Sequence, residues 1–312
     1  MTDSASPKSG PAMTAPSPRA LAWRRRRIAF AAGWREFAKQ RTGVFGLGLL
    51  VLIVLLAVLA PVLTDQEGLD VTKATGGRME SPSSEFWLGT DRSGRSVLLL
   101  TLWGSRMSLT VGFVATLLSI SIGTVIGILA AHFGRWVSAT LMRITDFFLV
   151  LPSLVLAIAL STVLEPGIGT IILAIGLTSW ATGARLVRAQ TLTVEARPYI
   201  ERSRALGGGH LHVVTKHVLP AVLPLVFVNT TLAVGSAIVA ESTLSFLGLG
   251  DPDPMRPSWG TMLRAAWQDS AVIAGAWWYL LPPGIAIGIV VLAFTMCGRA
   301  LESVLNPRLR EV

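Results

Sequence analysis

Residues 199–220, YIERSRALGGGHLHVVTKHVLP, gather one carboxylate (Glu201), three cations (Arg202, Arg204, Lys216) and three of the chain's four histidines. By type, these groups could ligate a metal, relay protons or assist a nucleophile. Their spacing argues against each. No cysteine or carboxylate accompanies His210, His212 and His217 at ligand spacing, and the single cysteine, Cys297, lies inside an apolar run. Hydrolysis inside an apolar core fails on reach: His132 and the other three histidines lie at or beyond the ends of apolar runs, away from any serine buried within one. GTDRSGR (89–95) lacks the Gly-Lys-Ser/Thr ending of a phosphate loop, and no other stretch carries a nucleotide-binding pattern. Binding chemistry remains. Pro198 suits the first turn of a helix, in which Tyr199, Ser203 and Leu206 share a face at i, i+4 and i+7. Gly207, Gly208 and Gly209 break it. A second helix then groups Leu211, Val214 and Val218 before Leu219–Pro220 opens an apolar run. The pattern predicts helix, glycine turn, helix, with a small exposed apolar tip of the kind that marks an interaction surface.

The elements that hold this segment are built for lipid. Of 312 residues, 52% are hydrophobic and only 14% charged, with mean hydropathy +0.60; soluble domains carry about 25% charge. A membrane helix needs ~20 apolar residues, and six segments qualify: 43–64, 107–131, 140–164, 166–184, 220–248 and 275–298. The fourth is diluted at its end by SWATGAR. Each is read as a helix because an isolated strand leaves backbone groups unsatisfied in hydrocarbon. This is an all-α membrane protein. Gly123 and Gly127, four apart, predict a close helix–helix contact, and Trp180, Trp259, Trp267, Trp277 and Trp278 are expected in the interfacial belt.

Charge sets the orientation. Lysine and arginine number twenty across 1–42, 132–143, 185–219 and 299–312, against seven across 65–106 and 249–274. Positive loops stay inside, so both termini and the 185–219 loop are expected in the cytoplasm. The net charge of +9 is thereby explained by topology, not by nucleic acid. The organisation expected is a disordered cytoplasmic tail (1–22), a basic amphipathic interfacial segment (23–42), a first span (43–64), an extracytoplasmic loop (65–106), a five-helix core (107–298) and a cytoplasmic tail (299–312). The core includes the cytoplasmic loop 185–219 and the extracytoplasmic loop 249–274. WRRRR (23–27) is followed by IAFAAGWREFAKQR rather than an apolar core, so an anchor is preferred to an export signal.

The 199–220 segment resembles the cytoplasmic loop of ABC-importer permeases. Its pattern is Glu-Ala-Ala, three residues, Gly, nine residues, Ile, one residue, Leu-Pro. Here Glu201 precedes Arg202-Ser203, three residues lead to Gly207, nine lead to His217, and Val218 precedes Leu219-Pro220. FWLGTDRSGRSVLLLTLWGSRMSL (86–109) resembles the Gly-Thr-Asp-x-x-Gly-Arg-Asp signature of dipeptide, oligopeptide and nickel importer permeases, with Ser96 replacing the last Asp. QRTGVFGLGLLVLIVLLAVLAPVL (40–63), DFFLVLPSLVLAIAL (146–160), ESTLSFLGLG (241–250) and PSWGTML (257–263) resemble further blocks of the C-type subunit, so the likeness runs from about 35 to 308. It implies a type I ABC-importer permease architecture in a bacterial inner membrane, crossed several times. It also implies a homologous second permease, two ATP-binding subunits or one fused tandem ATPase, and an extracytoplasmic substrate-binding protein. ATP and Mg would belong to the ATPase; this chain would hold no cofactor or metal. Tyr199, Glu201, Ser203, Leu206, Gly207, Leu211, Leu219 and Pro220 are the expected coupling residues.

Asp146, Pro152 and Glu241 are candidates for the pathway or its gate, since ionisable groups and prolines near the membrane are functional by default. Their structural alternative is pairing with an arginine, Arg143 for Asp146, or with freed backbone groups. A stand-alone secondary transporter is the competing function. It calls for inverted repeats and relays of acids or histidines within the spans, and the sequence offers no convincing repeat. Orientation is testable: with Cys297 replaced, Gly209→Cys is expected to react with an impermeant maleimide only in inside-out vesicles. Labelling of intact cells would invert the topology.

Overall fold

The computed structural model describes residues 18–305. The expected tails at 1–22 and 299–312 therefore lie largely outside it. Among the described residues regular structure is helical, with one isolated bridge at Thr90–Ser96. The helices are α1 (Pro18–Ala38), α2 (Arg41–Leu63), α3 (Val97–His132), α4 (Arg135–Val150), α5 (Ser153–Val163), α6 (Ile168–Thr178) and α7 (Trp180–Glu195). There follow α8 (Pro198–Ala205), α9 (His210–Val213), a π turn (Val214–Val218), α10 (Leu219–Phe246), α11 (Trp259–Gln268) and α12 (Trp277–Leu305). Arg41–Leu63, Val97–His132, His210–Phe246 and Trp277–Leu305 are each long and apolar enough to cross a bilayer. The count is six if α4–α5 and α6–α7, bent by 88° and 42°, each form one span.

The span ends differ from the sequence expectation for local reasons. The helix α3 begins at Val97, not 107, because Ser96 caps it, its hydroxyl accepting from the Leu99 amide at 3.4 Å. Ser105 and Arg106, which read as loop, stay helical: the Ser105 hydroxyl donates to the Leu102 carbonyl and Arg106 lies 5.2 Å over the Trp103 ring. The third expected span is broken in two. Pro152 has no N–H, and its ring pushes Leu151 out of the helical region, to φ −81 and ψ 130. The fourth breaks at Ser179, inside the polar SWATGAR stretch, and continues to Glu195. The fifth starts at His210, because α9, the π turn and α10 run on as one helix. The 249–274 loop contains α11, whose N-terminus is a capping box between Ser258 and Thr261. The segment expected at 23–42 spans most of α1 and the first residues of α2.

Packing follows the small residues. A Cβ on Gly123 would sit 2.8 Å from the Trp180 carbonyl oxygen, and one on Gly127 2.6 Å from that of Ala184. The α3 and α7 backbones are therefore in direct contact, as small-residue interfaces in lipid permit. Gly43 and Gly46 seat α2 on α12 in the same manner, while Val44, Phe45, Val58 and Val62 of α2 face outward as a bilayer requires. One apolar cluster gathers Leu69, Val97, Ile238, Trp259 and Tyr279, joining α3, α10, α11 and α12. A second collects Val187, Val194, Ile200, Val213, Val218 and Val222 at the opposite end of α7. Trp180 and Trp259 are buried in this packing, against the belt expected of them, whereas Trp267 and Trp277 are exposed. The Trp259 indole donates to the Thr101 carbonyl at 3.0 Å. Gly127→Leu should force α3 off α7 and cost about 1–3 kcal/mol as overpacking. A lowered thermal midpoint of the detergent-solubilised protein is expected; an unchanged midpoint would remove this contact from the structural core.

Candidate transport pathway and coupling surface

A cavity of about 560 Å³ opens between α3, α4, α5, α6, α7 and α10. Both helix breaks face it: Pro152 and Ser153 line one side, Thr178, Ser179 and Thr182 another. Thr116 and Ser119 of α3 and Asn229 and Ser236 of α10 complete the polar lining, and no ionisable side chain takes part. Thr116 and Thr178 spend their hydroxyls on their own helix, on the carbonyls of Gly112 and Ala174, both at 2.7 Å. Non-helical backbone at membrane depth is tolerated where it borders such a space. The breaks therefore belong to the cavity.

Of the three pathway candidates, only Pro152 lines it. The Glu241 carboxylate is buried elsewhere, accepting from the hydroxyls of Ser245 (2.8 Å), Ser108 (3.0 Å) and Ser242 (3.2 Å). The Ser108 oxygen also accepts from the Trp259 amide at 3.2 Å, so this cluster fastens α3, α10 and the start of α11. A buried carboxylate satisfied by several donors is a clamp between helices. Asp146 sits on an exposed face and pairs with Arg185 of α7 at 2.6 Å; Arg143 is not its partner. The residues that sequence reasoning missed are Ser119, Thr182, Asn229 and Ser236. They are neutral and match no motif, so nothing but their convergence marks them.

Residues 199–220 form a knuckle. Helix α8 ends in a Schellman turn: the Gly208 amide donates to the Ser203 carbonyl (2.9 Å) and the Gly207 amide to that of Arg204 (3.0 Å). Gly207 has φ +88, a conformation that favours glycine. At Gly208 a Cβ would lie 2.7 Å from the Ser203 oxygen. The inward anchor is Ile200, packed with Val194, Val213 and Val218. Leu211 departs from the face it was expected to share with Val218: Val213 and Val218 are buried, while Leu211 is 77% exposed. Leu206 is 84% exposed. Tyr199, Ser203, Leu206, Gly207, His212 and His217 border a hollow of about 530 Å³. Glu201 is exposed on the outer side of α8, and Leu219 and Pro220 begin α10. The knuckle thus shows two leucines outward and is rooted inward by valines.

At the far end of the bundle, GTDRSGR folds into a cap on α3. Asp91 accepts from the Ser93 and Arg95 amides and from the Arg95 guanidinium, at 2.8, 2.9 and 2.8 Å. Arg92 reaches across to Asp269 at 2.8 Å. Ser96 does as N-cap what an aspartate could do there, which accounts physically for the exchange.

Residues 123–311 match the family described as "Binding-protein-dependent transport system inner membrane component". The chain belongs to this family. Residues 30–75 match "N-terminal TM domain of oligopeptide transport permease C", which marks the C-type branch. The dipeptide transport system permease protein DppC of Alkalihalophilus pseudofirmus is 35% identical over 281 residues, covering 89% of this chain and 90% of that one. The glutathione transport system permease protein GsiD of Pectobacterium atrosepticum is 33% identical over 280 residues, covering 89% and 90%. A chain of the inward-facing MetNI methionine ABC transporter shares the fold, with TM-score 0.54 and 21% identity over 67% of this chain and 97% of that one. This permease is a multi-pass inner-membrane protein. The clamp in it can be tested: Glu241→Ala strips an acceptor from three buried hydroxyls, at about 1–3 kcal/mol. A lowered thermal midpoint is expected, with Glu241→Gln lying between it and wild type. An unshifted alanine variant would deny Glu241 this role.

Proposed function

We propose that this permease forms one half of the translocation path of an ATP-driven importer for peptides or peptide-like solutes. Its relatives' names include dipeptide and glutathione transport systems, which supports the peptide class. The cavity supports translocation. On this chain it is lined by six helices, and a homologous second permease would close the path from the other side. Its neutral hydroxyl and amide lining suits polar solutes of varied charge.

The observation that carries the coupling role is the knuckle: Leu206 and Leu211 stand exposed on a capped turn whose second arm continues without a break into the cavity-lining helix α10. In this reading the leucines and the adjoining hollow seat against a separate ATP-binding subunit, which holds ATP and Mg. Closure of two such subunits, or of a tandem one, moves the knuckle and switches the path from one face to the other. The basic-residue count supports a cytoplasmic knuckle and cytoplasmic termini. A substrate-binding protein would then dock on the opposite face, around the GTDRSGR cap and α11. A stand-alone secondary transporter would draw on titratable groups in its path, and the described cavity lining offers none.

Leu206→Glu combined with Leu211→Glu is expected to abolish co-purification of the ATPase subunit while the permease still inserts. Retention of the ATPase at wild-type stoichiometry would reject the docking role.

A further inference from the structure

Four side chains from four helices meet where the knuckle joins the bundle. His132, the last residue of α3, is wholly enclosed, its side chain 0% exposed. Its Nδ1 meets Oε1 of Glu195, the last residue of α7. Its Nε2 lies 2.8 Å from Nδ1 of His210, the first residue of α9. The second Glu195 oxygen accepts from the guanidinium of Arg204, on α8, at 2.9 Å. The imidazole rings of His132 and His210 stand perpendicular with centroids 5.0 Å apart, and Phe133 covers His210 at 5.5 Å.

Imidazole suits the central place. With Nδ1–H donating to the carboxylate, Nε2 is left to accept from His210, so one ring bridges two partners on opposite sides. Apart from the continuity of α9 with α10, the packing that links the knuckle to the bundle is the valine cluster around Ile200, whose contacts are non-directional. The His132–Glu195 link has direction. It also lies close beyond Gly127, where the α3 and α7 backbones touch. A force on α8 or α9 therefore reaches both α3 and α7 through hydrogen bonds, and α7 carries Thr182 and the Ser179 break into the cavity.

We infer that His132 and Glu195 are positioning residues: they form a hub that makes the knuckle and the α3–α7 pair move as one body. The inference rests on the coupling role proposed above and assigns that role its path into the membrane.

The test uses the assembled importer with Cys297 replaced and spin labels at Gly209→Cys and Thr182→Cys. Their distance distribution is measured without nucleotide and after trapping with ATP and vanadate, so that no cargo is needed. In the otherwise native background the two distributions should coincide. His132→Leu should widen the trapped distribution at least two-fold, and His132→Gln, whose amide also offers a donor and an acceptor, should restore it. His210→Ala, at an exposed position, should widen it as well. Labels that separate on trapping in the native background would overturn the hub, as would unchanged widths in both His132→Leu and His210→Ala. Failure of glutamine to restore the width would reduce His132 to a packing residue and overturn the positioning role. The docking reading is decided separately, by ATPase co-purification with the leucine variants, so the failure of one is not mistaken for that of the other.

Discussion

The contact of the α3 and α7 backbones at Gly123 and Gly127 is the constraint from which the remaining geometry follows. Between helices in lipid there is no hydrophobic driving force, because the alternative neighbour is as apolar as the partner. Association must come from close packing, and packing is closest where side chains are absent. With α7 held at this distance, its first turns are fixed beside Ser119 and Asn229, and its last residue beside His132. A single interface therefore sets the cavity wall at one end and the root of the knuckle at the other. The Glu241 clamp does similar work for α10, tying it to α3 through Ser108 and to α11 through the Trp259 amide. The permease is a frame of few contacts, each placed where two helices must not separate.

The helix breaks gain meaning inside that frame. An unpaired backbone group in hydrocarbon costs several kcal/mol, so interruptions at Leu151–Pro152 and Ser179 would be ruinous on a lipid face. Both open on the one cavity instead. The bends of 88° and 42° carry α5 and α6 around its edge. A charged wall would attract one class of solute and repel another by like-charge opposition. A neutral wall, in which hydroxyls and one amide stand among apolar side chains, does neither.

Much of this was legible in the sequence, and the limits have physical causes. Apolar length located the four long spans and the two bent helix pairs, because the bilayer imposes a minimum that no other context does. Gly123 and Gly127 stood out through their spacing, and the knuckle through its three glycines. The ends of helices were misjudged where polar residues ride on a helix above the membrane, as Ser105 and Arg106 do. Glu241 was read as a pathway acid because an acid in an apolar run signals function; two of its serine partners, Ser242 and Ser245, were in plain view, but Ser108 lies 133 residues away. The buried face of α8 was likewise hidden. An eight-residue helix offers too few positions for periodicity to decide, and the valines that draw Ile200 inward come from α7, α9 and the π turn.

The knuckle must also be stiff, and nothing local can make it so. An isolated helix of eight residues is unstable in water, because nucleation costs more than so few hydrogen bonds return. The Schellman bonds at Gly207 and Gly208 close the C-terminal end of α8, and Ile200 pins its first turn. Beyond the glycines, α9 avoids the same weakness by merging through the π turn into α10, a continuous helix from His210 to Phe246. One arm of the knuckle is thus rigid by continuity and the other only by attachment. Hydrogen bonds reach both arms: Arg204 of the attached arm meets Glu195, and His210 of the continuous one meets His132. A loop that yielded under load would absorb any motion applied to it; this one is tied by hydrogen bonds to the two helices whose backbones already touch.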